Sequence, residues 1–109
     1  MSQPNILLLF VDQMRYDAMA CAGNPVIKTP ALDRLASEGM NFTHAITPVP
    51  VCVAARHSLV TGQRCAIHGR YGNNLPNPEP NLYTLPQLLG TAGYQTRAIG
   101  KMHFMPPRR

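Results

Sequence analysis

The chain has no tryptophan and only 6% aromatic residues, so any core must be built from aliphatic and small side chains. Charge is sparse too, at 14% of 109 residues, and acidic charge is sparser still: five Asp and Glu against ten Lys and Arg. Only two of those ten cations, Lys28 and Lys101, are lysines, and beyond the Arg108-Arg109 pair they do not cluster. A polynucleotide footprint needs a dense basic face, so the formal charge of +5 favours small anions over nucleic acid. Cys21, Cys52 and Cys65 are an odd number with no C-x-x-C spacing. That argues against a disulfide framework or a structural zinc site and places the protein in a reducing, cytoplasmic compartment. No basic segment of a secretory leader opens the chain, and its apolar run Ile6 to Val11 is too short to span a membrane. The sequence therefore reads as soluble, and the Asn41-Phe42-Thr43 sequon as meaningless. Its length suits one small domain with one core.

The apolar run itself is the first positive signal. Ile6-Leu7-Leu8-Leu9-Phe10-Val11 is uninterrupted and ends abruptly at Asp12, the pattern of a central strand in a parallel sheet covered on both faces. In open α/β sheets ligands sit beyond the carboxyl ends of strands, where Asp12 would emerge. A turn-rich stretch around Gly23-Asn24-Pro25 follows. Thr29 as N-cap, Pro30 at the first helical position, Leu32, Leu35 and Ala36 on one face and Gly39 as a stop predict a helix over 30–38. Met40, Phe42 and Ala45 alternate as in a half-buried strand, broken by Pro48 and Pro50. Ala54 to Thr61 favours a helix ended by Gly62, and residues 70–81, with Gly72, Pro76, Pro78 and Pro80, form a loop. Thr84 caps a further helix to about Ala92, stopped by Gly93, and 94–99 reads as another strand. The plan is strand, helix, strand, helix, helix, strand, an α/β fold with a mostly parallel sheet and flanking helices. It is incomplete, because such a sheet normally needs more strands than these.

Several residues in this plan carry chemistry. Cys52 lies at the start of a predicted helix, where free amides and the partial positive charge favour an anion. Arg56 follows one turn later and can point back to the same spot. A thiol or its derivative beside a guanidinium suits attack on an anionic ester. From position alone, a small buried thiol and a solvated arginine account for the pair more simply. Asp12, at the end of a buried strand, is costly unless paired or bound to a metal; a capping or turn role fits its position equally. Lys101 and His103 follow the last strand on alternate residues, so both side chains can face one ligand, or both can be surface cations on a tail. His44, His57 and His68 lack metal-ligand spacing and read as structural; Arg15 is open between pocket and surface.

The segment Val49-Pro50-Val51-Cys52-Val53-Ala54-Ala55-Arg56-His57-Ser58-Leu59-Val60-Thr61-Gly62 resembles the signature of the type I sulfatases, of the alkaline phosphatase-like superfamily. That signature is Cys or Ser, any residue, Pro or Ala, any residue, Arg, then a helix ending in Thr-Gly. The resemblance extends to Pro4-Asn5, Asp12-Gln13, Lys28-Thr29-Pro30-Ala31-Leu32-Asp33-Arg34-Leu35-Ala36, Gly93-Tyr94 and Gly100-Lys101-Met102-His103. It covers nearly the whole chain in order, which reads as residues 1–109 being the N-terminal part of a sulfatase catalytic domain. The resemblance implies that Cys52 is oxidised by a formylglycine-generating enzyme to formylglycine. It also implies a divalent cation, calcium, held by Asp12, Gln13 and the modified residue 52. Arg56, Lys101 and His103 are then catalytic, with Lys101 and His103 matching the family's Lys-x-His at the sulfuryl group and leaving oxygen. One hydroxyl of the hydrated aldehyde attacks sulfur, the alcohol or phenol leaves with a proton, and the other hydroxyl expels sulfate.

Two positions depart from the family pattern. Ala54 stands where Pro is commoner, and Gln13 replaces the second Asp of the usual acidic pair, removing a negative charge. The Asp-Gln version also resembles the phosphonate monoester and choline-sulfate hydrolysing branches. The family's later Asp and its Asn or His, further metal ligands, have no match here. The expectations are therefore three: a segment of a sulfate ester hydrolase inactive by itself, a phosphonate or phosphodiester hydrolase on the same scaffold, or a non-catalytic basic fragment. Substrate and oligomeric state stay open.

Overall fold

Proline at a first helical turn and glycine just past the last one shape this structure, a computed structural model that describes residues 3–73 and 82–104. The chain separates into two compact units, Met1–Ala45 and Ile46–Arg109.

In the first unit, α1 spans Pro30–Glu38 as predicted, with Pro30 opening it and the Gly39 N–H closing on the Leu35 carbonyl at 2.9 Å. Thr29 occupies the N-cap position but its hydroxyl does not cap the helix. It accepts the Ala20 N–H at 2.9 Å and donates to Asp33 Oδ1 at 2.9 Å, and the same carboxylate oxygen accepts the Cys21 N–H. Thr29 and Asp33 thus dock the 3-10 turn Ala20–Ala22 against α1, and a second such turn, Tyr16–Ala18, packs on the first. Asn24 closes the following turn, its Oδ1 accepting the N–H groups of Val26 and Ile27. Arg15 is on the surface, paired with Asp17 at 2.7 Å, and that contact holds the Asp17 carboxyl below its ordinary range.

In the second unit, α2 spans Cys52–Thr61, α3 Cys65–His68 and α4 Leu85–Thr91. Helix α2 begins two residues earlier than predicted, so Cys52 is its first residue. Val51 cannot cap it; Asn73 Oδ1 accepts the Val53 N–H from 20 residues away at 3.0 Å, doing the work of an N-cap. Gly62 at φ 65° ends α2, and Gly69 at φ 69° ends α3, which was not predicted because four residues show no periodicity. Thr84 and Gln87 make a reciprocal capping box at α4. Helix α2 packs against α3 and α4. Its buried positions are Val53 and Ala54, with Cys65 from α3, but also Arg56, His57, His68 and Arg70. A core this polar requires hydrogen bonds for its contents.

The sheet of the α/β expectation is not seen among the described residues. Among the described residues no strand is formed at 6–11, 40–45 or 94–99. An apolar extended segment becomes a strand only when a ladder partner satisfies its amides and carbonyls, and no ladder forms among these segments. They are left solvent-facing, Leu7 at 80% exposure and Ile99 at 97%.

Candidate active site

The chemistry-bearing residues of the second unit meet at the N-terminal end of α2. Cys52 is half-buried there, a free thiol, and Lys101 Nζ lies 3.9 Å from its Sγ. Arg56, one turn along, is 5% exposed and donates from Nη1 to the Lys101 carbonyl at 2.7 Å. It is therefore a buried tie to the segment that carries Lys101, and the solvated alternative does not hold. The next residue, His57, donates from Nε2 to the Phe104 carbonyl at 2.8 Å; a carbonyl only accepts, so this nitrogen bears the proton. Its ring meets Phe104 edge-on, with centroids 5.7 Å apart.

Cys52, Arg56 and Lys101 are thus brought together from positions 49 and 45 residues apart in sequence. His103 is carried on the same segment. Lys101 and His103 do not alternate along a strand, since 101–104 is not a strand and His103 has φ 42°, a left-handed value that breaks an extended run. No hydrogen bond joins His103 to Cys52 or Arg56; its Nδ1 is shut away from solvent with no partner among the described residues. Asp12 and Gln13 belong to the first unit. Gln13 is also left-handed, at φ 57°. His44 is exposed and bonded to Thr43.

Sequence reasoning missed the layer behind the cluster. His68 Nδ1 accepts the Arg70 N–H at 3.1 Å, which leaves its Nε2 to donate to Ser58 Oγ at 2.8 Å. Ser58 Oγ in turn lies 3.8 Å from Cys65 Sγ. Burial pushes the His68 pKa down from 6.5, and the neighbouring His57 adds to the shift. The unfolded chain therefore binds a proton below pH 6.5 that the folded chain resists. Stability from this group is present at neutral pH and declines as pH falls below that value. We expect the thermal midpoint to fall on acidification from about pH 7.5 to 5.5, and His68→Gln, which keeps a donor for Ser58 but cannot titrate, to flatten that dependence. An equally steep profile in the variant would assign the acid sensitivity elsewhere. Burial also lowers the Arg70 pKa.

The electrostatic bias of the unit matches its geometry. Residues 46–109 hold Arg56, Arg64, Arg70, Arg97, Lys101, Arg108 and Arg109 against Glu79 as the one carboxylate, an excess of six positive charges. The rest of the chain holds three cations and four carboxylates, a net charge of −1. An anion drawn to this unit meets both that field and the amide end of α2.

A cysteine at a helix start, a lysine held beside it and a local cationic excess form a site suited to an anionic ligand. The chain matches the Sulfatase family profile over residues 4–109, and it belongs to that family. It is 45% identical over 106 residues to an arylsulfatase of Clostridium perfringens, covering 97% of this chain and 22% of that protein. Identity is 40% over 108 residues to an ulvan-active sulfatase of Formosa agariphila, covering 99% and 21%, and 35% over 119 residues to human arylsulfatase A, covering 97% and 24%. The chain thus spans about a fifth to a quarter of the length of these relatives. No solved structure gives a significant match.

Proposed function

We propose that this chain supplies the nucleophile-bearing segment of a sulfate ester hydrolase. The observation that carries the reading is the 3.9 Å approach of Lys101 Nζ to Cys52 Sγ, with Arg56 gripping the Lys101 carbonyl behind it. When Cys52 is converted to formylglycine by a formylglycine-generating enzyme, the hydrated aldehyde supplies the attacking oxygen and the means of releasing sulfate. The chain's own residues do the rest. Lys101 neutralises charge that builds on the sulfuryl oxygens, and the amide end of α2 adds to the stabilisation. Arg56 fixes the lysine's main chain, so little reorganisation accompanies reaction. His103, whose Nδ1 has no competing partner among the described residues, protonates the leaving oxygen.

Asp12 and Gln13 offer one carboxylate and one amide oxygen, hard donors of the kind calcium takes. Two donors fall short of the six to eight oxygens calcium usually collects, and no cluster of three His, Cys, Asp or Glu side chains suited to a metal occurs among the described residues. These two residues would supply part of a calcium ligand set. The exposed apolar segments at 6–11 and 94–99 support their being strands of an alkaline phosphatase-like α/β sheet, since contiguous apolar surface of this kind marks an interface. The three free thiols support a reducing, cytoplasmic setting. No helix among the described residues is long and apolar enough to cross a membrane.

Gln13 favours a second reading, a phosphonate monoester or phosphodiester hydrolase, because a missing negative charge alters which anion the site tolerates. Rates on an aryl sulfate and on an aryl phosphonate monoester, measured with the protein at its natural length, separate the two. A sulfate rate exceeding the phosphonate rate is expected, and the reverse order would overturn the sulfatase reading in favour of the second.

A further inference from the structure

The sequence gives His57 no role beyond packing, yet its hydrogen bond reaches across the site. Two consecutive α2 residues hold the two ends of one short segment: Arg56 binds the Lys101 carbonyl at 2.7 Å and His57 binds the Phe104 carbonyl at 2.8 Å. Between those anchors lies His103 in a left-handed conformation, φ 42°, which a non-glycine residue keeps only where the surroundings over-determine it. One anchor alone would leave residues 102–104 able to relax toward an ordinary backbone, and Lys101 would shift with them. His57 is 8% exposed, so water is a poor substitute for its donor.

We infer that His57 is a positioning residue for the hydrolysis proposed above. Its Nε2–H, with the Arg56 guanidinium, clamps 101–104 to α2 so that Lys101 faces residue 52. The inference rests on that functional reading for its consequence in catalysis, but the clamp itself is a matter of geometry and can be tested apart from turnover.

The test compares His57→Phe, which keeps an aromatic ring against Phe104 but has no donor, with His57→Gln, whose amide nitrogen reaches the place of Nε2. The first readout is a short thiol-to-amine cross-linker applied to protein whose Cys52 is still a thiol, with the yield of the Cys52–Lys101 adduct measured by peptide mass. The second is the kcat and KM of converted protein, at its natural length, on an aryl sulfate. For His57→Phe the adduct yield is expected to fall severalfold and kcat/KM by about ten- to a hundredfold, the effect of displacing a charged group by about an ångström. His57→Gln is expected to restore both, a recovery that a purely space-filling role would not produce. Folded His57→Phe protein with wild-type yield and kinetics would overturn the inference. If the wild-type protein turns over no sulfate ester while the adduct still depends on the residue 57 donor, the clamp stands and the hydrolase reading fails. Should His57→Phe not fold, His57→Asn, whose amide stops short of the Nε2 position, makes the same comparison with His57→Gln.

Discussion

In the protein at its natural length, Cys52→Ala is expected to abolish turnover of an aryl sulfate, with a loss in kcat on the order of 10^5-fold, the result of deleting a covalent nucleophile. The position tolerates the change structurally. Cys52 is the first residue of α2, its side chain is only half-buried, and the turn is ordered through Val53 N–H and Asn73. Alanine is a good helix former, so α2 should persist and the loss should be chemical. Lys101 and the amide end of α2 remain, so inorganic sulfate should inhibit or bind the variant with affinity within about threefold of wild type, a difference below 1 kcal/mol. A variant that keeps a measurable fraction of wild-type kcat would remove residue 52 from the reaction.

Truncating Lys101 to alanine lowers kcat/KM by about 10^2- to 10^3-fold, the range for removing one preorganised charge-stabilising group. Arg56 holds the residue through its carbonyl, while the side chain makes the approach to Cys52. Removing the side chain leaves that main-chain tie in place. Lys101→Arg should recover activity only in part, since a broad planar guanidinium cannot reproduce a compact ammonium at 3.9 Å. Steady-state kinetics across a series of aryl sulfates of differing leaving-group pKa would show whether the loss is uniform. Uniform loss fits charge stabilisation at the sulfuryl group. A loss that grows as the leaving group becomes poorer would instead implicate Lys101 in protonating it.

The helices were legible because their ends are chemically marked. Pro30 and Gly39, Thr84 with Gln87, and Gly62 each act within a few residues of themselves, and the structure places helix ends there. Thr29 shows the boundary of that logic: its place at the N-cap was readable, but its hydroxyl goes to Ala20 and Asp33, contacts set by the tertiary fold. The strands at 6–11 and 94–99 were read from apolar runs, and such runs state a need for ladder partners without providing them. At the site, Cys52 and Arg56 were legible as a pair one helical turn apart, and Lys101 by family resemblance. His57 and Asn73 were not. Their roles depend on which distant carbonyl or helix start the fold brings to them, and no local spacing encodes that.

The central claim is that Cys52 becomes the nucleophile of a sulfate ester hydrolase, and mass spectrometry of the protein from its native source tests it most directly. The tryptic peptide of residues 35–56 contains Cys52 as its one cysteine. The account predicts a peptide lighter by the difference between a thiol and an aldehyde, resistant to alkylation and reactive toward a hydrazide. A peptide that carries an unmodified, alkylatable thiol throughout the purified protein would contradict it.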